Sequence, residues 1–167
     1  MFKDDKTAGR RPLEGVRVLD FSRVLAGPYC TALMADLGAE VIKVEPPAGD
    51  DYRHIGPFKE GESLLFQSVN RGKKSIVLDL KSAKGAAAAR ALAADCDVLI
   101  ENFRPGVMER LGLGPDVCLE RNPKLVFGRM TGWGQYGPLA HAAGHDQNYI
   151  AITGTLNAIG RKGERPV

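Results

Sequence analysis

The sequence predicts an α/β fold built on an open, mainly parallel sheet with helices on both faces. Two observations carry that prediction. Short apolar runs rich in β-branched residues alternate with helix-forming runs, and the connections between most of them are short. A strand, helix, strand order with short links is the pattern of a right-handed parallel crossover, and here it recurs along the chain.

Residues 1–12 are polar and close with Arg10-Arg11-Pro12, which predicts a flexible N-terminal arm ahead of a domain over residues 13–167. Val16 to Phe21 alternates in the manner of a first strand. Ala26-Gly27-Pro28 is a turn, with Pro28 where a helix can start. Tyr29 to Leu37 is helix-forming, with Tyr29, Leu33, Met34 and Leu37 as its apolar stripe and Gly38 as its stop. Glu40 to Glu45 is a second strand, ended by Pro46-Pro47.

Residues 46–74 are rich in proline, glycine and charge, with Leu64-Leu65-Phe66 as the expected buried anchor; a connection of this length is usually functional or an insertion. Ser75 to Leu80 then reads as a strand, Lys84 to Ala94 as an alanine-rich helix, and Asp97 to Glu101 as a strand. A short helix near Val107 to Leu111 and a strand over Leu125 to Met130 complete the pattern.

Composition narrows the function. Hydrophobic residues make up 44% and charged residues 26% of the 167, close to soluble globular averages. A net charge of +3 with dispersed basic residues argues against a nucleic-acid surface but permits a local phosphate site. No segment approaches the roughly 18 apolar residues needed to span a bilayer, and Met1 to Lys6 lacks the apolar core of a secretory signal. Cys30, Cys96 and Cys118 are odd in number and lack metal-ligand spacing, so no metal site is expected. They read as reduced, mostly buried thiols of a cytoplasmic protein.

The sequence carries few chemical motifs. The turn Arg23-Val24-Leu25-Ala26-Gly27-Pro28 holds one glycine where a dinucleotide loop requires three. Three stretches fall at strand ends, the ligand edge of an open α/β sheet: Val24 to Ala26, Leu78 to Lys81 and Asn102 to Gly106. Lys81, Arg104 and Arg110 put cations beside them, with Arg71, Lys73 and Lys74 as a further basic group. Such cations suit a polyphosphorylated ligand, although on composition alone solvated surface charge is the simpler account.

Gly144-His145-Asp146-Gln147-Asn148-Tyr149 is the richest polar cluster. Histidine moves protons near neutral pH, and Asp146 beside His145 could raise its basicity. The same residues also read as a helix start with Asp146 at the N-cap. His54 and His141 lie in polar loops without partner patterns and read as surface residues, and Trp133 reads as a core aromatic.

The chain resembles the class III CoA-transferase family, the CaiB/BaiF group of CoA-transferases and α-methylacyl-CoA racemases. The resemblance rests on Pro12 to Asp20, Leu25 to Pro28, Ala35 to Glu45, Asn70 to Ser75, Leu78 to Lys81 and Glu101 to Gly106. It implies the Rossmann-like large domain of that fold, incomplete here. The early blocks are transferase-like. From Arg129 to Gln135 onward the chain is racemase-like, with His145 where transferases usually carry tyrosine.

By the same resemblance, coenzyme A is bound as part of the substrate, with no covalent cofactor. Its contacts would fall at Val24, Leu25, Leu78, Asp79, Leu80, Lys81, Asn102, Phe103, Arg104, Arg110, Gly144, Gln147, Asn148 and Tyr149. The catalytic candidates are His145, as the base that removes the proton α to a thioester carbonyl, and the neighbouring Asp146. An arginine usual for the CoA nucleotide is replaced by Pro46. The resemblance places an essential aspartate shortly after Val167 and a longer chain in its members. The expected partners are therefore an acyl-CoA thioester and either a second copy or a complementing C-terminal half, with no nucleic acid and no membrane.

Overall fold

The computed structural model describes residues 11–166, so residues 1–10 of the expected arm lie outside the described residues. The chain divides into two compact units, one ending at Met130 and one beginning at Thr131.

In the first unit, β1 (Arg17–Asp20) leads into α1 (Ala26–Asp36) and then β2 (Glu40–Glu45). A 3-10 turn at Asp51–His54 follows. Next come a small antiparallel hairpin of β3 (Phe58–Lys59) and β4 (Glu62–Ser63), and then α2 (Leu64–Asn70). The remaining order is β5 (Lys74–Val77), α3 (Ala83–Ala94), β6 (Val98–Glu101), α4 (Val107–Arg110), α5 (Pro115–Arg121) and β7 (Val126–Arg129).

The five long-range strands form one parallel sheet in the order β5-β2-β1-β6-β7. Leu19 pairs with Ile42 on one side and with Leu99 on the other. The sheet grows outward from β1 in one direction and then restarts beside β1 in the other. The reversal between β1 and β6 makes a crevice at their C-terminal ends, where open α/β sheets bind ligands.

Side-chain alternation gives the sheet two apolar faces, as predicted. Leu19, Val44 and Leu99 pack with Ala89 and Ala93 of α3, Met108 of α4 and Cys118 of α5. Val18 and Val41 turn to the opposite face, against Met34 and Ala35 of α1. Leu19 and Leu99 are fully buried, each burial stabilising the fold by about 2 kcal/mol. At the edge, all four residues of β5 are exposed.

Several local expectations need correction. Tyr29, Leu33 and Leu37 are exposed; of that stripe Met34 packs against the sheet, and the buried residues of α1 are Gly27, Pro28, Thr31 and Ala32. A Cβ at Gly27 would collide with the Ser22 side chain, so this helix sits too close to the end of β1 for large residues between them. In residues 46–74, Leu64 is exposed, and the buried positions are Asp50, Ser63, Val69 and Asn70. Strands β1 and β5 end earlier than the apolar pattern suggests: each ladder closes with one more bond, from the Phe21 and Leu78 N–H groups, and Phe21, Leu78 and Leu80 still pack inward past the last paired residues.

The second unit holds α6 (Asp146–Ile152) and a 3-10 turn at Thr155–Ala158. Trp133 and Tyr149 pack with ring centroids 5.1 Å apart, tilted by 60°. Trp133 is half-buried here rather than a core aromatic.

Candidate functional site

The C-terminal edge of the sheet encloses a cleft of about 680 Å³. Phe21 and Arg23 enter it from the end of β1, Val44 to Pro47 from β2, and Leu78 to Lys81 from beyond β5. Asn102, Phe103 and Arg104 enter from the end of β6, with Val107 and Leu111 behind them. The apolar residues make a floor suited to a flat or aliphatic group. Arg23, Lys81 and Arg104 add cations, of which Lys81 and Arg104 are exposed.

Seven residues expected at the ligand edge therefore share one cleft: Leu78, Asp79, Leu80, Lys81, Asn102, Phe103 and Arg104. Val24 and Leu25 do not line it; they are exposed on the adjoining turn that starts α1. Arg110 does not line it either. Its guanidinium lies over Gly106, where a Cβ would come within 3.2 Å of Nη1. The Asp79 carboxylate accepts the Lys81 N–H at 3.0 Å, and the Asp79 carbonyl accepts from Ser82, whose hydroxyl caps α3 at Gly85.

The acids of the cleft are already engaged. Glu45 is 2% exposed in its side chain and takes two bonds from Arg53, at 2.6 and 2.7 Å. It also accepts the Ser75 hydroxyl at 2.6 Å and the Asp50 N–H at 3.0 Å. Burial alone would raise its pKa, but these donors outweigh burial and hold it down to about 2. Glu45 is thus a fixed anion, neutralised by Arg53, whose guanidinium also lies 3.7 Å from the Phe66 ring centre.

Glu101, at the end of β6, is fully buried. It accepts the Phe103 N–H at 2.7 Å and Arg129 Nε at 2.8 Å. Burial pushes its pKa up against those bonds. Arg129 reaches on to both oxygens of Glu109, at 2.7 and 3.2 Å, tying β7 to α4 beneath the 102–104 loop. Asn102 uses both ends of its amide on the Arg23 backbone.

The group Arg71, Lys73 and Lys74 is not a free phosphate site. Arg71 pairs with Asp36, Lys74 with Glu40, and Lys73 is buried against Asp20. Each positive charge already has its counterion. Arg23, which the glycine spacing of its turn does not single out, also reaches the cleft beside Lys81 and Arg104, with Asp51 Oδ2 4.0 Å from its Nη1. It lies 5.5 Å from the Phe103 ring centre.

In the second unit, His145 is exposed and is itself the N-cap of α6; Asp146 is the first helical residue rather than the cap. The His145 N–H donates to Asn148 Oδ1 at 3.1 Å, so Asn148 fixes the histidine's backbone. Asp146 and Gln147 are exposed. Tyr149 braces the same turn, because its phenol fills the space a Cβ would need at Gly132 and Gly144. Trp133 Nε1 donates to the Ala143 carbonyl at 3.4 Å. His54 and His141 are exposed, as expected, with His54 Nε2 2.9 Å from the Ala48 carbonyl.

All three cysteines are free, two of them buried, and burial pushes the Cys96 thiol up to about 11. Among the described residues no cluster suits a metal ion, and no helix is long and apolar enough to cross a membrane.

Comparison with known proteins follows the same lines. The chain is 48% identical over 159 residues to mouse succinyl-CoA:glutarate CoA-transferase, covering 94% of this chain and 36% of that protein. It is 43% identical over 154 residues to human alpha-methylacyl-CoA racemase, covering 92% and 37%. The crystal structure of a CAIB/BAIF family protein from Brucella suis superposes with a TM-score of 0.90 at 39% identity, over 95% of this chain and 43% of that one. Rv3272 from Mycobacterium tuberculosis gives 0.85 at 42%, over 94% and 44%. The chain thus spans well under half the length of the relatives it matches. A family model described as CoA-transferase family III matches residues 13–167, the span that holds both the cleft and His145, and the chain belongs to that family.

Proposed function

We propose that the chain binds the coenzyme A part of an acyl-CoA thioester in the cleft at the β1/β6 crevice. We further propose that His145 is the base of a racemase-type reaction at the carbon α to the thioester. The observation that carries the first part is the cleft itself, an apolar floor at the sheet's ligand edge with three cations around it. Adenine and the pantetheine arm suit the floor, and the phosphates suit Arg23, Lys81 and Arg104. Pro46 takes the place of an arginine expected for the nucleotide, and Arg23 supplies positive charge in the same cleft.

For the second part, the support is a histidine exposed on a turn that Asn148 and Tyr149 fix. A neutral imidazole at that position abstracts the α-proton, the thioester carbonyl takes the resulting negative charge as an enolate, and an acid on the other face returns a proton. Asp146, next in sequence to His145, is not that acid, because delivery to the opposite face needs a group from elsewhere.

CoA transfer between carboxylic acids is the second reading. It is favoured by 48% and 47% identity to the mouse and human succinyl-CoA:glutarate CoA-transferases. Calorimetric titration with CoA tests the shared part, and absence of binding would overturn it. Solvent deuterium entering the α-carbon of a 2-methylacyl-CoA, lost in His145→Ala, supports the racemase reading. CoA transfer to a dicarboxylate without such exchange replaces it.

A further inference from the structure

Arg23 follows β1 and Asn102 follows β6, so the two stand on either side of the reversal in strand order. The last backbone bond joining these strands runs from the Phe21 N–H to the Ile100 carbonyl, at 2.8 Å. Beyond it the chains diverge and open the crevice. There the Asn102 side chain takes over the pairing. The Arg23 N–H donates to Asn102 Oδ1 at 3.0 Å, and Asn102 Nδ2 donates to the Arg23 carbonyl at 2.8 Å. A side-chain amide thus stands in for a strand residue across the gap.

The residue before Arg23 is held as tightly. The Ser22 N–H donates to Asp20 Oδ1 at 2.9 Å, and its carbonyl accepts from Lys43 Nζ at 2.8 Å. All four backbone polar groups of Ser22 and Arg23 are bonded to side chains, from β1, β2 and the end of β6. Immediately after this clamp, Val24 has φ of +70°. That region is unfavourable for a β-branched residue and persists where the surroundings over-determine it. Val24 is 39% exposed, so its own packing does little to hold it there.

We infer that Asn102 is a positioning residue. It locks the Arg23-Val24 turn across the crevice, holds the Arg23 guanidinium at the cleft, and does not recognise the ligand through its amide. The consequence for binding rests on the reading of the cleft as a CoA site; the consequence for the turn does not.

The test uses the 167-residue chain, with hydrogen exchange at the Arg23 amide, thermal melting and CoA calorimetry as readouts. Asn102→Ala should speed exchange at Arg23 and weaken CoA binding about tenfold, the scale of a lost backbone constraint of this kind. With Val24→Gly present, removing Asn102 should cost less than about threefold, because glycine adopts the positive φ without the clamp. A direct ligand would show the same loss in both backgrounds, which overturns the inference, as does unchanged Arg23 exchange or unchanged affinity in Asn102→Ala. Asn122→Ala is the control. That residue also bonds backbone carbonyls, of Ala93 and Cys96, but away from the cleft, and its loss should lower the melting temperature without altering CoA affinity. If Asn102→Ala does not fold, Val24→Gly alone decides: a higher melting temperature supports the strained turn and a lower one overturns it. If the unmodified chain does not bind CoA, the CoA reading fails, while the exchange and melting arms still decide the role of Asn102.

Discussion

The Lys73 ammonium meets the Asp20 carboxylate at 3.0 Å with both side chains sealed from water. The same ammonium donates to the Pro28 carbonyl at 2.8 Å and to Asn70 Oδ1 at 2.9 Å. Asp20 accepts the hydroxyls of Ser22 and Thr31 as well. Burial depresses the Lys73 pKa, and the Asp20 charge opposes that shift. Lys73→Met strands a buried carboxylate and should cost about 3 kcal/mol or more in urea unfolding. Asp20→Asn added to it should cost less than the sum of the two single changes, because the second removes the charge that the first left unpaired.

Glu45 makes stability depend on acid. Its pKa is depressed from the ordinary 4.5 to about 2, so the folded state binds fewer protons than the unfolded chain between those values. The stabilisation is complete above 4.5 and is lost as pH falls towards 2. At about 1.4 kcal/mol per unit it amounts to about 3 kcal/mol. Glu45→Gln should be less stable at neutral pH and should lose less on acidification over that window, as followed by denaturant titration at stepped pH.

Gly144→Ala should disturb the His145 turn without unfolding the sheet. The new methyl group would occupy the position of the Tyr149 phenol, which packs on Trp133. Trp133 is the chain's one tryptophan, so its fluorescence reports on this turn alone. The expected result is a red-shifted emission with a far-ultraviolet circular dichroism spectrum close to that of the unmodified chain.

Under the CoA reading, Arg23→Ala and Arg104→Ala should each weaken CoA binding by about tenfold or more, the range of a charge-assisted hydrogen bond. Both contributions should shrink in high salt, because Arg104 is exposed and the Arg23 side chain is 41% exposed, so both are screened. Calorimetry at low and high ionic strength measures both effects.

The fold was legible because its signals are local. β2 is found over Glu40–Glu45 as read, and the alanine-rich helix begins one residue early at Ala83. Where close approach decided the outcome, periodicity misled: the Tyr29 and Leu33 stripe faces outward because Gly27 lets α1 press against Ser22. Helix α5 was missed, since Pro115–Arg121 is too short to establish a period. At the site, residue identities at strand ends were readable, but their roles were not. That Asn102 faces Arg23, 79 residues away, and that Lys73 is sealed against Asp20 rather than solvated, depends on the strand order alone.

That separation bears on how the molecule folds. Contacts between distant parts of a chain form slowly, because the loop between them must first be ordered. The first crossover, β1 to β2, can assemble from neighbouring sequence. The crevice is completed only when β6 docks against β1 from the far side. Ligand competence should therefore be among the last properties acquired during refolding, arriving after the bulk of the helical signal.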